Sequence, residues 1–235
     1  MQLLSEDCTR VSGDREMLES LLELDGKRLV ELGCGAAANT RMLAQGGPDR
    51  EVIAFEVDER QHASNLAAPP LPNLRFLYGG AESIDLPAAS VDVVCMFKSL
   101  HHVPRAALGK ALAEIHRVLV PGGHLYVAEP LFMGAFNDII RLFHDEEAVR
   151  RAAFEALCAA VDLGLFEPVT EVFYRAPSSY RDFADFEQRM IGATHTEHRL
   201  SQEVHAEVAR RFAAHCTAGG ARFENPMRAD LLRRV

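Results

Sequence analysis

The chain has 235 residues, 48% of them hydrophobic and 25% charged, with 16 Gly and 11 Pro; this balance excludes disordered, collagen-like and coiled-coil classes and suits one folded domain with a sizeable core. The net charge of −9 disfavours affinity built on neutralising phosphates, so the expected partner is a small molecule and not a nucleic acid. No apolar stretch approaches the roughly 20 residues that cross a bilayer, and Glu6 and Asp7 stand where a signal peptide would be apolar, so a cytoplasmic protein with no membrane association is expected, as a monomer or homodimer.

In chain order, Met17, Leu18, Leu21, Leu22 and Leu24 recur at helical spacing, and Gly26 follows where a helix would stop. Arg28–Leu32 is a short apolar run ending in Gly33-Cys34-Gly35, and Asn39–Gln45 then reads as helical: strand, glycine turn, helix. Glu51–Glu56 predicts a second strand, Glu59–Ala67 a helix, Leu74–Tyr78 a third strand and Val91–Phe97 a fourth. Within Pro104–Leu119, apolar positions 108, 112, 115, 118 and 119 share one helical face, and Gly122-Gly123 precedes a strand at Leu125–Ala128. Strands alternating with helices predict a parallel α/β sheet covered on both faces. Beyond Pro130, Phe136–Val161 reads as mostly helical, Val169–Tyr174 as a strand, Ser178–Ile191 and Ser201–Cys216 as helices, and Arg222–Leu232 as a last strand. Five cysteines, at 8, 34, 95, 158 and 216, show no C-x-x-C spacing, which argues against a zinc ribbon or a disulfide framework.

The segment Glu31 to Ala38 places small residues at a strand-to-helix junction, where a ligand can approach the backbone and the helix N-terminus offers free N–H groups. Glu56, at the end of the second strand, stands where a carboxylate accepts both hydroxyls of a ribose. Gly33, Gly35 and Ala38 also satisfy the dinucleotide pattern G-x-G-x-x-G/A, so a nicotinamide enzyme competes for the same turn. Glu31, two residues before the first glycine, repels a pyrophosphate and suits a ligand bearing an ammonium and a sulfonium.

Glu31-Leu32-Gly33-Cys34-Gly35, followed by Thr40, resembles the first motif of class I S-adenosylmethionine-dependent methyltransferases. Glu82-Ser83-Ile84-Asp85-Leu86-Pro87, Ser90-Val91-Asp92-Val93-Val94, Leu100-His101-His102-Val103 and Arg117-Val118-Leu119-Val120-Pro121-Gly122-Gly123 are similar to the successive signatures of its ubiquinone/menaquinone-biosynthesis-like branch. The resemblance implies a Rossmann-like, mostly parallel sheet of seven strands flanked by helices, with the last strand antiparallel. It implies one methyltransferase domain over 1–235, whose half 1–129 binds the cofactor and whose half 130–235 closes the sheet and roofs the acceptor with a helical insertion at about 176–220. S-adenosylmethionine, leaving as S-adenosylhomocysteine, would lie against Glu31, Gly33, Cys34, Gly35, Ala37, Thr40, Glu56 and Val57, against Gly80, Ala81 and Glu82, and against Phe97 and Lys98. Gly80 stands where the family usually has an aspartate that contacts adenine, and Glu82 or a backbone carbonyl would substitute for it. A nicotinamide-dependent reductase, for which no Y-x-x-x-K pattern is present, and a non-catalytic cofactor-binding protein are the alternatives.

Methyl transfer needs an in-line nucleophile and gains most of its rate from positioning, so no universal catalytic residue is expected. The acceptor would sit among Phe97 to Val103, Glu129 to His144 and the helical region from Ser178 to Cys216. His101, His102, His144, His195 and His198 are candidates to position it or to accept its proton, with Lys98 and Arg141; their surplus of charge in an acidic chain points to an anionic small molecule. Lys98 should meet Glu129, the cofactor carboxylate or the substrate, because an unpaired cation is costly to bury. Arg141 and His144 would address an acidic substrate or pair with Asp145, Glu146 or Glu147. His195 and His198 share a helical face but lack a third ligand nearby, so no metal site is expected.

Overall fold

The alternation of short apolar runs with amphipathic stretches closes into one mixed sheet in the computed structural model, which describes residues 1–235 apart from Glu6, Pro48 and 193–199. Five strands are parallel neighbours: β2 (Arg28–Leu32), β3 (Glu51–Glu56), β4 (Leu74–Tyr78), β5 (Val91–Phe97) and β6 (Leu119–Pro130). β9 (Gly220–Arg234) runs antiparallel to β6 and to β7 (Phe166–Tyr180), giving the order β4-β3-β2-β5-β6-β9-β7. The expected seven strands with the last reversed are all present. Two-residue pieces extend them: β1 (Arg10–Val11) on the outer edge of β7, and β8 (Cys216–Thr217) beside β9.

Strand β5, VDVVCMF, shows why both faces are covered. Val94 and Met96 enter the core beneath α4 (Leu108–Val118) and α6 (Glu147–Asp162), whereas Val93, Cys95 and Phe97 enter the core beneath α1 (Asp14–Leu21) and α2 (Ala38–Gln45). Side chains alternating at period two thus feed both layers, each buried aliphatic residue contributing about 1.5 to 3 kcal/mol. On α4 the buried residues Leu108, Ala111, Leu112, Ile115 and Val118 form the predicted stripe. The helix α3 (Glu59–Ala67) follows β3, with Asp58 capping it through the amides of Arg60 and Gln61 at 2.9 and 3.0 Å.

Three expectations change beyond Pro130. The helical reading of Phe136–Val161 divides into α5 (Ala135–Ile140) and α6, because Asp145 accepts the amide of Glu147 at 3.1 Å and that local bond competes with helix continuation. Ser178–Tyr180 are strand, since β7 stays paired with β9 as far as Tyr180 opposite Ala221; the helix there starts only at α7 (Phe183–Phe186), capped by Asp182, and runs on as a π turn, Glu187–Ile191. Helix α8 (Gln202–Ala213) ends before Cys216, which belongs to β8.

Because β7 is parallel to β2 and β5, its last residues project past the sheet on the side of their carboxyl ends, beyond Pro130↔Met227, the last pair of β6 with β9. There Tyr180 and Phe223 pack with α5, α7 and α8 into a separate aromatic core containing Phe136, Phe186 and Phe212. No helix among the described residues is long and apolar enough to cross a membrane.

Candidate functional site

At the end of β2 the chain turns through Gly33 (φ +72°) and Gly35 (φ +51°), and Ala37 (φ +58°) also takes the left-handed conformation. The amides of Gly33 and Cys34 both donate to Phe55 O at 3.0 Å, which fastens the turn to β3. A Cβ on Gly33 would stand 2.8 Å from Ser99 Cβ, whereas a Cβ on Gly35 would meet no atom within 4 Å. Gly33 is therefore required by the fold, and Gly35 borders open space. Asn65 of α3, a residue the sequence reading missed, donates to Gly35 O at 2.8 Å and braces the loop from behind.

Glu56 is buried and lies directly behind the glycine loop. Its Oε2 accepts the Gly35 amide at 2.7 Å and its Oε1 the amides of Val57 and Asp58, each at 2.9 Å. A carboxylate offers about four lone-pair positions, so these three bonds fix its direction and leave acceptor capacity beside Gly35. Glu31 is buried under the turn and takes the Thr40 hydroxyl at 2.5 Å. Burial pushes its carboxyl up to about 8 against the Thr40 bond, with the charges of Asp14 and Glu56 adding to the rise. The expected repulsion between Glu31 and a pyrophosphate is corrected accordingly: near pH 7 this carboxyl is mostly protonated.

Gly79 donates to Glu56 O at 3.1 Å, which brings the Gly80-Ala81-Glu82 segment beside Glu56. A Cβ on Gly80 would meet the Glu82 carboxylate at 2.4 Å, so that carboxylate lies over the position where the resembling family carries its acid. At the end of β5, Phe97 packs against Tyr126 at 5.6 Å between centroids, and Ser99 donates to Leu32 O at 2.7 Å, tying this loop to the glycine turn.

Lys98 adopts a left-handed backbone (φ +57°), and its ammonium pairs with Asp14 of α1 at 2.5 Å. The expected contact with Glu129 is not made. Asp14 also accepts the Tyr174 hydroxyl at 3.0 Å; neither partner was legible, since 84 residues separate Asp14 from Lys98. Glu129 instead accepts the Leu100 amide at 2.9 Å and bonds Nδ1 of His101.

The single cluster of cations and histidines expected from the sequence divides in two. Lys98 belongs with α1, whereas His101, His102 and His144 gather about Glu146, the residue preceding α6. His101 is buried, with Nε2 lying 3.4 Å from Glu146 Oε1. Burial alone would lower its pKa, yet Glu129 and Glu146 raise it to about 9, and both of its ring nitrogens face a carboxylate. His144 pairs with Glu146 at 2.9 Å, and Arg141 lies over the Phe132 ring, 4.8 Å from its centroid. His195 and His198 fall outside the described residues.

Residues 30–127 match a family model described as a methyltransferase domain. Demethylspheroidene O-methyltransferase of Rhodobacter capsulatus is 28% identical over 137 residues, 58% of this chain and 33% of that protein. Phthiotriol/phenolphthiotriol dimycocerosates methyltransferase of Mycobacterium leprae is 31% identical over 115 residues, 46% of this chain and 39% of that one. The chain thus covers well under half of these curated relatives. Among solved structures, the YcgJ protein of Bacillus subtilis superimposes with a TM-score of 0.62 at 16% identity, covering 94% of this chain and 97% of its own, a likeness of fold. The stretch matched by the methyltransferase-domain model contains the glycine turn, Glu56, Lys98 and His101.

Proposed function

We propose that the chain transfers a methyl group from S-adenosylmethionine to an anionic small molecule, largely by holding the two reactants in line. The observation that carries this reading is the cradle at Gly35: a left-handed glycine facing open space, with the Glu56 carboxylate fixed by three amides beside it. These residues fit a nucleoside cofactor, with Glu56 taking ribose hydroxyls and Glu82 standing in for the acid absent at Gly80. When bound, the cofactor supplies an electrophilic methyl on a sulfonium. The chain's own part is to orient it, to exclude water with the aromatic core of α5, α7 and α8, and to hold the acceptor near Lys98, Phe132 and Met133. The names of the relatives, one of them an O-methyltransferase, favour an oxygen nucleophile.

Calorimetric titration with S-adenosylhomocysteine and, separately, with NADH tests the reading. Binding of the first and not of the second is expected. Binding of NADH alone would replace it with the reductase, and binding without turnover of any acceptor would leave a cofactor-binding protein.

Two further outcomes are expected. The carboxyl of Glu31 is raised to about 8 in the folded chain from its ordinary value of 4.5, so the stability it confers is fully present below about pH 4.5 and is lost as pH rises through about 8. A cation bound at the turn favours the carboxylate; cofactor binding should release a fraction of a proton between about pH 5 and 8, read from binding enthalpies in buffers of different ionisation enthalpy. In Glu31→Gln the release should vanish. The second concerns Lys98→Met, a near-isosteric neutral change. It should lower kcat/KM for the acceptor about ten-fold or more, about 1.4 kcal/mol, while cofactor affinity stays nearly constant. A loss confined to cofactor binding would assign Lys98 and its Asp14 partner to the cofactor.

A further inference from the structure

We infer that His101, His102 and Glu146, with His144 beside them, bind one first-row divalent metal ion at the junction of β5, β6 and α6. One nitrogen of each of the two adjacent histidines and one oxygen of Glu146 lie within 4.8 Å of one another. His101 Nε2 is 3.4 Å from Glu146 Oε1, and His144 Nε2 is 2.9 Å from that same oxygen. Bonds of about 2.0 to 2.2 Å from a metal to imidazole nitrogen and carboxylate oxygen place neighbouring ligand atoms roughly 3 to 4 Å apart. The spacing therefore needs only small side-chain rotations to close on an ion.

The groups behind the ligands are oriented for the same purpose. Nδ1 of His101 is taken by Glu129, itself anchored by the Leu100 amide at 2.9 Å, which leaves Nε2 aimed at Glu146. A carboxylate on the far nitrogen is the usual outer partner of a ligating histidine, fixing its tautomer and raising its basicity. On the other side, Oε2 of Glu146 accepts from Arg150 at 2.6 Å, which turns Oε1 toward the histidines. A plain ion pair of His101 with its two carboxylates would explain these contacts, but it gives no reason for His144 to converge on the same oxygen or for a nitrogen of His102 to lie within 4.8 Å of the other two ligand atoms.

The donor set also selects the class of ion. Imidazole nitrogens with one carboxylate suit Zn²⁺, Fe²⁺ or Co²⁺ rather than Mg²⁺ or Ca²⁺, which prefer all-oxygen shells. Two cationic charges on the ion and one on Arg150 exceed the two carboxylates by one, so an open coordination position is best filled by hydroxide or another anionic oxygen. The sequence held no sign of such a site, because its ligands come from the turn after β5 and the segment before α6.

The test is titration of the full chain, stripped with chelator, with Co²⁺ as a visible probe. One equivalent should bind with a ligand-field absorption band, and Zn²⁺ should displace it. His102 is exposed, so His102→Ala should unfold at the same temperature as the parent in chelator yet lose Co²⁺ affinity by ~100-fold or more, at least what removal of an outer-shell partner costs. His144→Ala serves as a second variant should the first fold poorly. Absence of a band in the parent, or a band of equal affinity in the variants, would overturn the assignment.

Discussion

Replacing Glu56 by alanine is expected to weaken S-adenosylhomocysteine binding about 30- to 100-fold, or about 2 to 3 kcal/mol, since a hydrogen bond to a charged group contributes about 1.5 to 3 kcal/mol. The change removes the carboxylate proposed to face the ribose and also releases the amides of Gly35, Val57 and Asp58. Helix α3 should survive, because Asp58 caps it independently through Arg60 and Gln61. Glu56→Gln keeps one carbonyl oxygen for the amides and should fall between the parent and the alanine variant. Calorimetry beside an unfolding curve separates loss of binding from loss of fold, and unchanged affinity in the alanine variant would remove Glu56 from the site.

Gly35→Val should abolish cofactor binding altogether while the protein still unfolds cooperatively. The two glycines of the turn differ in what surrounds them. At Gly33 a side chain strikes Ser99 at 2.8 Å, so substitution there damages the fold and reports nothing about ligands. At Gly35 no protein atom lies within 4 Å of the added carbon, and the penalty to folding is the left-handed backbone, φ +51°, on the order of 1 to 2 kcal/mol or somewhat more for a β-branched residue. The valine side chain would then fill the space proposed for the ligand. A variant that folds and binds normally would show that the cradle lies elsewhere, and Gly35→Ala, with less bulk at the same φ, should retain part of the affinity.

Lys98 illustrates how the tertiary structure alters a charge argument. Read in the sequence it is an unpaired cation at a strand end; in the folded chain Asp14 neutralises much of it. Any pull on an anionic acceptor must work through a pair whose lysine side chain is 45% exposed and whose aspartate is 11% exposed. Such a pair is screened by solvent, which is why the expected effect of Lys98→Met is near ten-fold and no larger.

What the sequence determined by itself was local in origin. The strand-turn-helix from Arg28 to Gln45, the acid closing β3 and the stripe on α4 follow from periods of two and 3.6 residues and from glycine's access to positive φ, all written within a few neighbouring residues. Tertiary pairing decided the rest. Ser178–Ile191 reads as a helix, yet β7 continues through Pro177 to Tyr180 in pairing with β9; among the described residues its outer edge has no partner strand beyond Arg175, so the missing proline N–H goes unneeded. The pairing of Lys98 with Asp14, and the gathering of His101, Glu129, His144 and Glu146, join residues far apart along the chain. Side-chain charges carry no periodicity that would reveal such contacts; only the packing of α1 and α6 against the carboxyl ends of β5 and β6 brings them together, and burial of His101, Glu129 and Glu146 makes their pairing necessary.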